Sequence, residues 1–287
     1  GGFWNGSSFV NGSLTINAAP VVAAITGATN VCTGATTTLE SATTGGVWTS
    51  SNTAIATVSA TGVVTGVSAG LATITYTVTN ASGCVSSVSA DVNVNAGATA
   101  TITAGGTTTF CAGGSVTLTA STGASYLWSN GAQTQSITVT AGGSYYVTVT
   151  NASGCSATSA ATTVTVNPLP TANILANGPL TFCQGGSVVL TASGGTSYNW
   201  NNSVSGATNT ITASGTYTAT VTNAAGCSTV SAPVTVNVLP APAASITANG
   251  PTSFCDGGSV ILSANGAGAY TWSNGSTASS IAVNNSG

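Results

Sequence analysis

The chain of 287 residues contains no Lys, Arg, His or Met, and only Glu40, Asp91 and Asp256 carry side-chain charge near neutral pH, for a formal net charge of -3. Without side-chain cations it has nothing to neutralise phosphates, which excludes nucleic acid and anionic membrane surfaces as partners. The three carboxylates fall at unmatched places and leave acid–base catalysis without its usual groups, and no apolar run approaches the ~18 residues of a bilayer span, so neither an enzyme nor membrane insertion is expected.

Gly1 opens within patterned sequence, without an initiator Met or a signal peptide, and the expectation is a segment of something longer. Residues 1–19 hold Ser13-Leu14-Thr15-Ile16-Asn17, which matches the strand that closes each later unit, so they are read as the end of a preceding repeat. A first unit spans 20–96. Within it Cys32 is followed by Trp48, by the strict alternation of residues 73–79, and by the turn Asn80-Ala81-Ser82-Gly83-Cys84. Apolar residues alternating with Thr have the period of a half-buried antiparallel strand.

Three further units follow at 97–168, 169–240 and 241–287, the last incomplete. Their first cysteines, Cys111, Cys183 and Cys255, lie 72 residues apart in the frames Phe110-Cys111-Ala112-Gly113-Gly114, Phe182-Cys183-Gln184-Gly185-Gly186 and Phe254-Cys255-Asp256-Gly257-Gly258. Each is followed 17 residues later by a tryptophan, Trp128, Trp200 or Trp272. Second cysteines close Asn-x-x-Gly turns at Cys155 and Cys227. Alternating strands, Asn-Gly turns at 130–131 and 274–275, and short Pro-containing linkers such as 167–170 predict an all-β chain of tandem sandwiches in a rod-like array. Trp48, Trp128, Trp200 and Trp272 are expected to fill cores, since a Cys, Trp, Cys order on strands is typical of small sandwiches.

Modules of about 70 residues bury little apolar area, so a covalent staple is expected. Equal spacing suggests one bond per module: Cys32 with Cys84, Cys111 with Cys155, Cys183 with Cys227, and Cys255 with a partner outside the chain. Closing a loop of about 45 residues contributes roughly 4 kcal/mol in the chain-entropy treatment. Such bonds imply an oxidising, extracellular or cell-surface location. Two Cys per module, without His, do not complete a tetrahedral metal site, and no metal or cofactor is expected.

The stretch Trp48-Thr49-Ser50-Ser51-Asn52-Thr53-Ala54-Ile55-Ala56-Thr57-Val58-Ser59, followed by Gly62-Val63-Val64-Thr65-Gly66-Val67 and Gly70-Leu71-Ala72-Thr73-Ile74-Thr75, resembles the bacterial immunoglobulin-like group 2 domain of invasin- and intimin-type adhesins. The later units look like the immunoglobulin-like or PKD-like repeats of very large Bacteroidetes surface proteins. The resemblance implies tandem immunoglobulin-like sandwiches, adhesion, surface display and a type IX-like export route. The acidic calcium sites of such relatives have almost no counterpart here. The function expected is the structural stalk or shaft of an extracellular adhesin or filament; the alternatives are a self-assembling fibre subunit, or repeats that bind carbohydrate weakly and many at a time. Expected partners are neighbouring repeats or further copies, with a glycan or other surface ligand as the alternative.

Overall fold

Gly70–Thr79 and Val85–Asn95 form the longest ladder, antiparallel over ten positions. Along the first of these strands Ala72, Ile74, Tyr76 and Val78 are buried while the intervening threonines are half-buried. The structure, a computed structural model, describes residues 15–266 and 268–285. Every regular element among them is a strand.

Around that ladder one sheet runs in the order Asn30–Cys32, Val85–Asn95, Gly70–Thr79, Val47–Ser50. The facing sheet runs Thr26–Gly27, Thr36–Glu40, Val63–Gly66, Ala56–Val58. Val31, Leu39, Ala56, Val64, Ala72, Ile74, Val92 and Val94 make one buried cluster. Trp48 is half-buried at the edge of this core, its ring 4.5 Å from that of Tyr76. The Tyr76 hydroxyl donates to the Thr43 carbonyl at 2.9 Å and accepts from the Gly46 amide at 2.8 Å, so the aromatic pair keeps its polar end satisfied.

The sandwiches over 102–167 and 173–239 are built from three three-stranded sheets each, because the two long strands are interrupted. Gly143–Tyr145 pairs with Thr162–Asn167, whereas Val147–Thr150 pairs with Ser125–Trp128 and Ser156–Thr158. At the crossing the buried Ser159 stands in for ladder partners: its amide donates to the Val147 carbonyl at 2.9 Å and its Oγ accepts from the Val147 amide at 3.1 Å. Ser231 repeats both bonds with Ala219, at 2.9 and 3.1 Å. A short side chain carrying both donor and acceptor lets the chain change sheets without leaving a buried amide unpaired.

Trp128 and Trp200 lie in the centres of these cores, at 2% and 3% exposure. Their indole N–H groups donate to the carbonyls of Thr134 at 2.8 Å and Gly206 at 2.9 Å. Trp272 is buried as well and donates to the Ala278 carbonyl at 2.8 Å. It belongs to the region whose sheet comprises Ser245–Ala248, Val260–Asn265 and Ser280–Val283. Residues 15–17 of the anticipated closing strand are in no strand, and Ser13 and Leu14 lie outside the described residues.

Contacts divide the chain into two units, Gly1–Val166 and Asn167–Gly287. The first holds the sandwiches over 26–95 and 102–166; the second holds the sandwich over 173–239 and the sheet over 245–283.

Each core tryptophan is followed by the same turn. The amides of Gly131 and Gly275 donate to the carbonyls of Trp128 and Trp272 at 2.8 and 2.9 Å, with φ of +85° and +82°. Asn130 does not share the left-handed conformation; its Oδ1 accepts from the Ala132 amide at 3.2 Å instead. In the sandwich over 173–239, Ser203 takes the glycine position with φ of +67°, where it alone among described non-glycine residues has a positive φ. A left-handed residue bearing Cβ costs about 1–2 kcal/mol. Ser203→Gly should therefore raise the denaturant midpoint, with a gain of about 1 kcal/mol in urea unfolding.

Candidate functional site, the module junction

The first cysteine of each module opens a tight turn, and Cys32, Cys111 and Cys183 each end a short edge strand. The Cys32 carbonyl accepts from the Ala35 amide at 2.9 Å, and the equivalent bonds run from Gly114 to Cys111, Gly186 to Cys183 and Gly258 to Cys255 at 2.9 to 3.0 Å. The residue two after each cysteine, Gly34, Gly113, Gly185 or Gly257, has φ between +83° and +94°, which accounts for the Cys-x-Gly motif. A Cβ on Gly114 or Gly186 would come within 3.1 Å of the ring of Phe110 or Phe182. In the first module Val31 replaces that Phe, and Ala35 takes the place of the second glycine.

The second cysteine is seated by an asparagine. Asn151 Oδ1 accepts from the amides of Ser153 and Cys155, both at 3.0 Å, while its Nδ2 donates to the Ala96 carbonyl in the linker at 2.9 Å. Asn80 makes the same set with Ser82, Cys84 and the Ala18 carbonyl. Asn223 makes it with Ala225, Cys227 and the Pro168 carbonyl. In all three modules one amide side chain shapes the turn and clamps the entering linker.

The bond observed is Cys32 to Cys155, across the junction of two modules, with a Cα–Cα distance of 5.8 Å and a sequence separation of 123. This corrects the expected pairings of Cys32 with Cys84 and of Cys111 with Cys155. The reason is strand direction: Asn30–Cys32 runs parallel to Val85–Asn95, with Cys32 opposite Asn95 at the far end of the closing strand. Cys84 lies just before the near end of that strand. Eleven residues of strand at about 3.3 Å each separate the two levels by about 36 Å, whereas a disulfide spans a Cα–Cα distance of at most about 7 Å.

The same geometry overturns the pairing of Cys183 with Cys227. Cys183 lies opposite Leu239 in a parallel pair, at the outgoing end of its module, while Cys227 sits in the incoming turn beside Asn167, with Sγ 4.0 Å from that carbonyl. Cys111 and Cys227 each take part in a disulfide. Cys155 and Cys227 are almost completely buried. Cys84 and Cys183 carry free thiols where disulfides were expected, the first half-buried and the second exposed; Cys255, also exposed, was expected to bond only outside the chain.

The chemically active residues are not gathered. Asp91 Oδ1 accepts from the Thr73 hydroxyl at 2.7 Å on an exposed strand face, and Glu40 and Asp256 are exposed. Among the described residues no three His, Cys, Asp or Glu side chains form a metal-binding group. The parallel edge strand and the asparagine clamp were missed in the sequence; the Asn-x-x-Gly-Cys repeat marked the turn but not the reach of Nδ2 into the linker.

Asn151→Ala removes three hydrogen bonds and should cost about 2–3 kcal/mol in urea unfolding at about 1 kcal/mol each. Asn151→Asp keeps the turn acceptors and loses only the clamp, so it should fall between the variant and the parent. Replacing Cys32 and Cys155 by Ser together should cost about 5 kcal/mol in the chain-entropy treatment, read from the same titration.

Residues 13–89 match the family model of the bacterial Ig-like domain (group 2). Comparison with curated proteins returns no match. Among solved structures the chain is similar to the N-terminal eight Ig domains of Down Syndrome Cell Adhesion Molecule, at 16% identity and TM-score 0.39, covering 86% of this chain and 40% of that one. It is similar to a Ca2+-stabilized adhesin of an Antarctic bacterium, at 18% identity and TM-score 0.31, covering 86% and 83%. It is also similar to a 1.5-MDa bacterial ice-binding adhesin, at 14% identity and TM-score 0.28, covering 74% and 94%. The chain spans well under half of the cell adhesion molecule's Ig array. Its fold is a tandem array of Ig-like β-sandwiches, with the group 2 match at its first module.

Proposed function

We propose that this chain is a non-catalytic structural stretch of an extracellular stalk, the part of a bacterial surface adhesin or filament that holds a binding element away from the cell. The observation that carries the reading is the Cys32–Cys155 bond, which joins successive modules where a flexible linker would otherwise stand. Persistent structural disulfides belong to oxidising compartments. A second junction device, the asparagine clamp on the incoming linker, recurs at three modules.

The carbohydrate reading loses its best aromatic platforms. Trp128 and Trp200 are buried and their N–H groups already bonded, so neither offers a ring face or a donor to a sugar. The near-absence of charge suits a shaft, since neighbouring modules or copies meet without like-charge repulsion.

Antibodies to the repeats should label intact producing cells, and digestion of native material without reduction should yield a peptide pair joining Cys32 to Cys155. Labelling only after permeabilisation, together with fully reduced cysteines, would sink the stalk reading.

A further inference from the structure

We infer that the junction disulfide is a tension bypass: a pull along the chain crosses from Cys32 to Cys155, and residues 33–154 stay outside the covalent load path while the bond is intact. The biological use of such a device rests on the stalk reading; the mechanics rest on the bond alone.

The covalent path makes the case. Force entering before the first module passes through residues up to Cys32, across the sulfur–sulfur bond to Cys155, and on through Ser156–Thr158 and Thr162–Asn167 to the next linker. Both hydrophobic clusters of this unit lie almost wholly inside the bypassed loop. Leu39, Ile74 and Val92 of the first, and Leu118, Trp128 and Val147 of the second, are all between 33 and 154. An intramodular bond such as the one expected between Cys32 and Cys84 would shield one module body and leave the linker in the load path. The bond seen spans the linker as well, because Cys32 is at the outgoing end of its module and Cys155 is in the turn clamped to Ala96.

The consequence is a length limit. Between Val21 and Pro168 the bridged path comprises 26 residues, about 80 Å when fully extended, whereas the unbridged path comprises 148 residues, about 500 Å. Unfolding of either module, or of both, cannot lengthen the bridged chain beyond the first figure. The modules are thereby free to have small cores without making the shaft extensible.

Single-molecule force spectroscopy on the whole chain tests this, with attachment points at the exposed positions Val21 and Pro168 introduced by chemistry that spares cysteine. The parent should reach no more than about 80 Å between the attachment points at any force below bond rupture. Addition of a phosphine under constant force, which is oxidised to its oxide as the disulfide takes up two electrons and two protons, should release a further extension of about 420 Å. The double variant Cys32→Ser, Cys155→Ser should show the full length without phosphine. A parent that extends to about 500 Å before reduction, or that gains nothing on reduction, overturns the inference. In situ reduction needs no folded variant, so a variant that fails to fold leaves the test intact. Absence of the protein from the cell surface would remove the stalk reading while these extensions still decided the bypass.

Discussion

A parallel pairing only three residues long determines how these modules are joined. Because Asn30–Cys32 runs alongside the closing strand in the same direction, its cysteine is carried to the end of the module that faces the next one. The other cysteine follows the turn that precedes the closing strand and faces backwards. Two thiols about 36 Å apart within a module cannot meet, and Cys32 bonds Cys155 of the next module instead. Antiparallel pairing of the same edge segment would have brought the thiols of one module to one end.

The local chemistry is organised around that placement. Phe110 and Phe182 pack on the cores and crowd the turn after the cysteine, and the second glycine of the motif makes room for the ring. Where Val31 replaces the aromatic, alanine suffices. On the incoming side an asparagine amide both shapes the cysteine turn and holds the linker carbonyl. The two devices converge at the junction, where the Cα atoms of Cys32 and Cys155 stand 5.8 Å apart.

Much of the fold was legible in the sequence. Period-two alternation marked Gly70–Thr79, and the place of tryptophan in each repeat pointed to residues that the structure buries at 128, 200 and 272. What alternation does not encode is strand direction: an edge segment reads alike whether it pairs parallel or antiparallel, so equal Cys spacing suggested bonds within modules. The sheet crossings at Ser159 and Ser231 were equally hidden, since a buried serine that replaces ladder bonds looks like any other loop serine. Trp48 sits at the rim rather than the centre because the first module fills its middle with Leu39, Val64 and Ile74.

Bonds that reach into the following module impose an order of events on a chain that emerges from its N-terminus. Cys32 appears well before Cys155 exists, and meets Cys84 and Cys111 first. Early oxidation would trap either wrong partner, yet once residues 26–95 have folded, Cys84 is held at the opposite end of the sandwich, beyond the reach of Cys32. Folding therefore comes before correct oxidation, and the first module keeps Cys32 from its nearest competitor until the second module has been made.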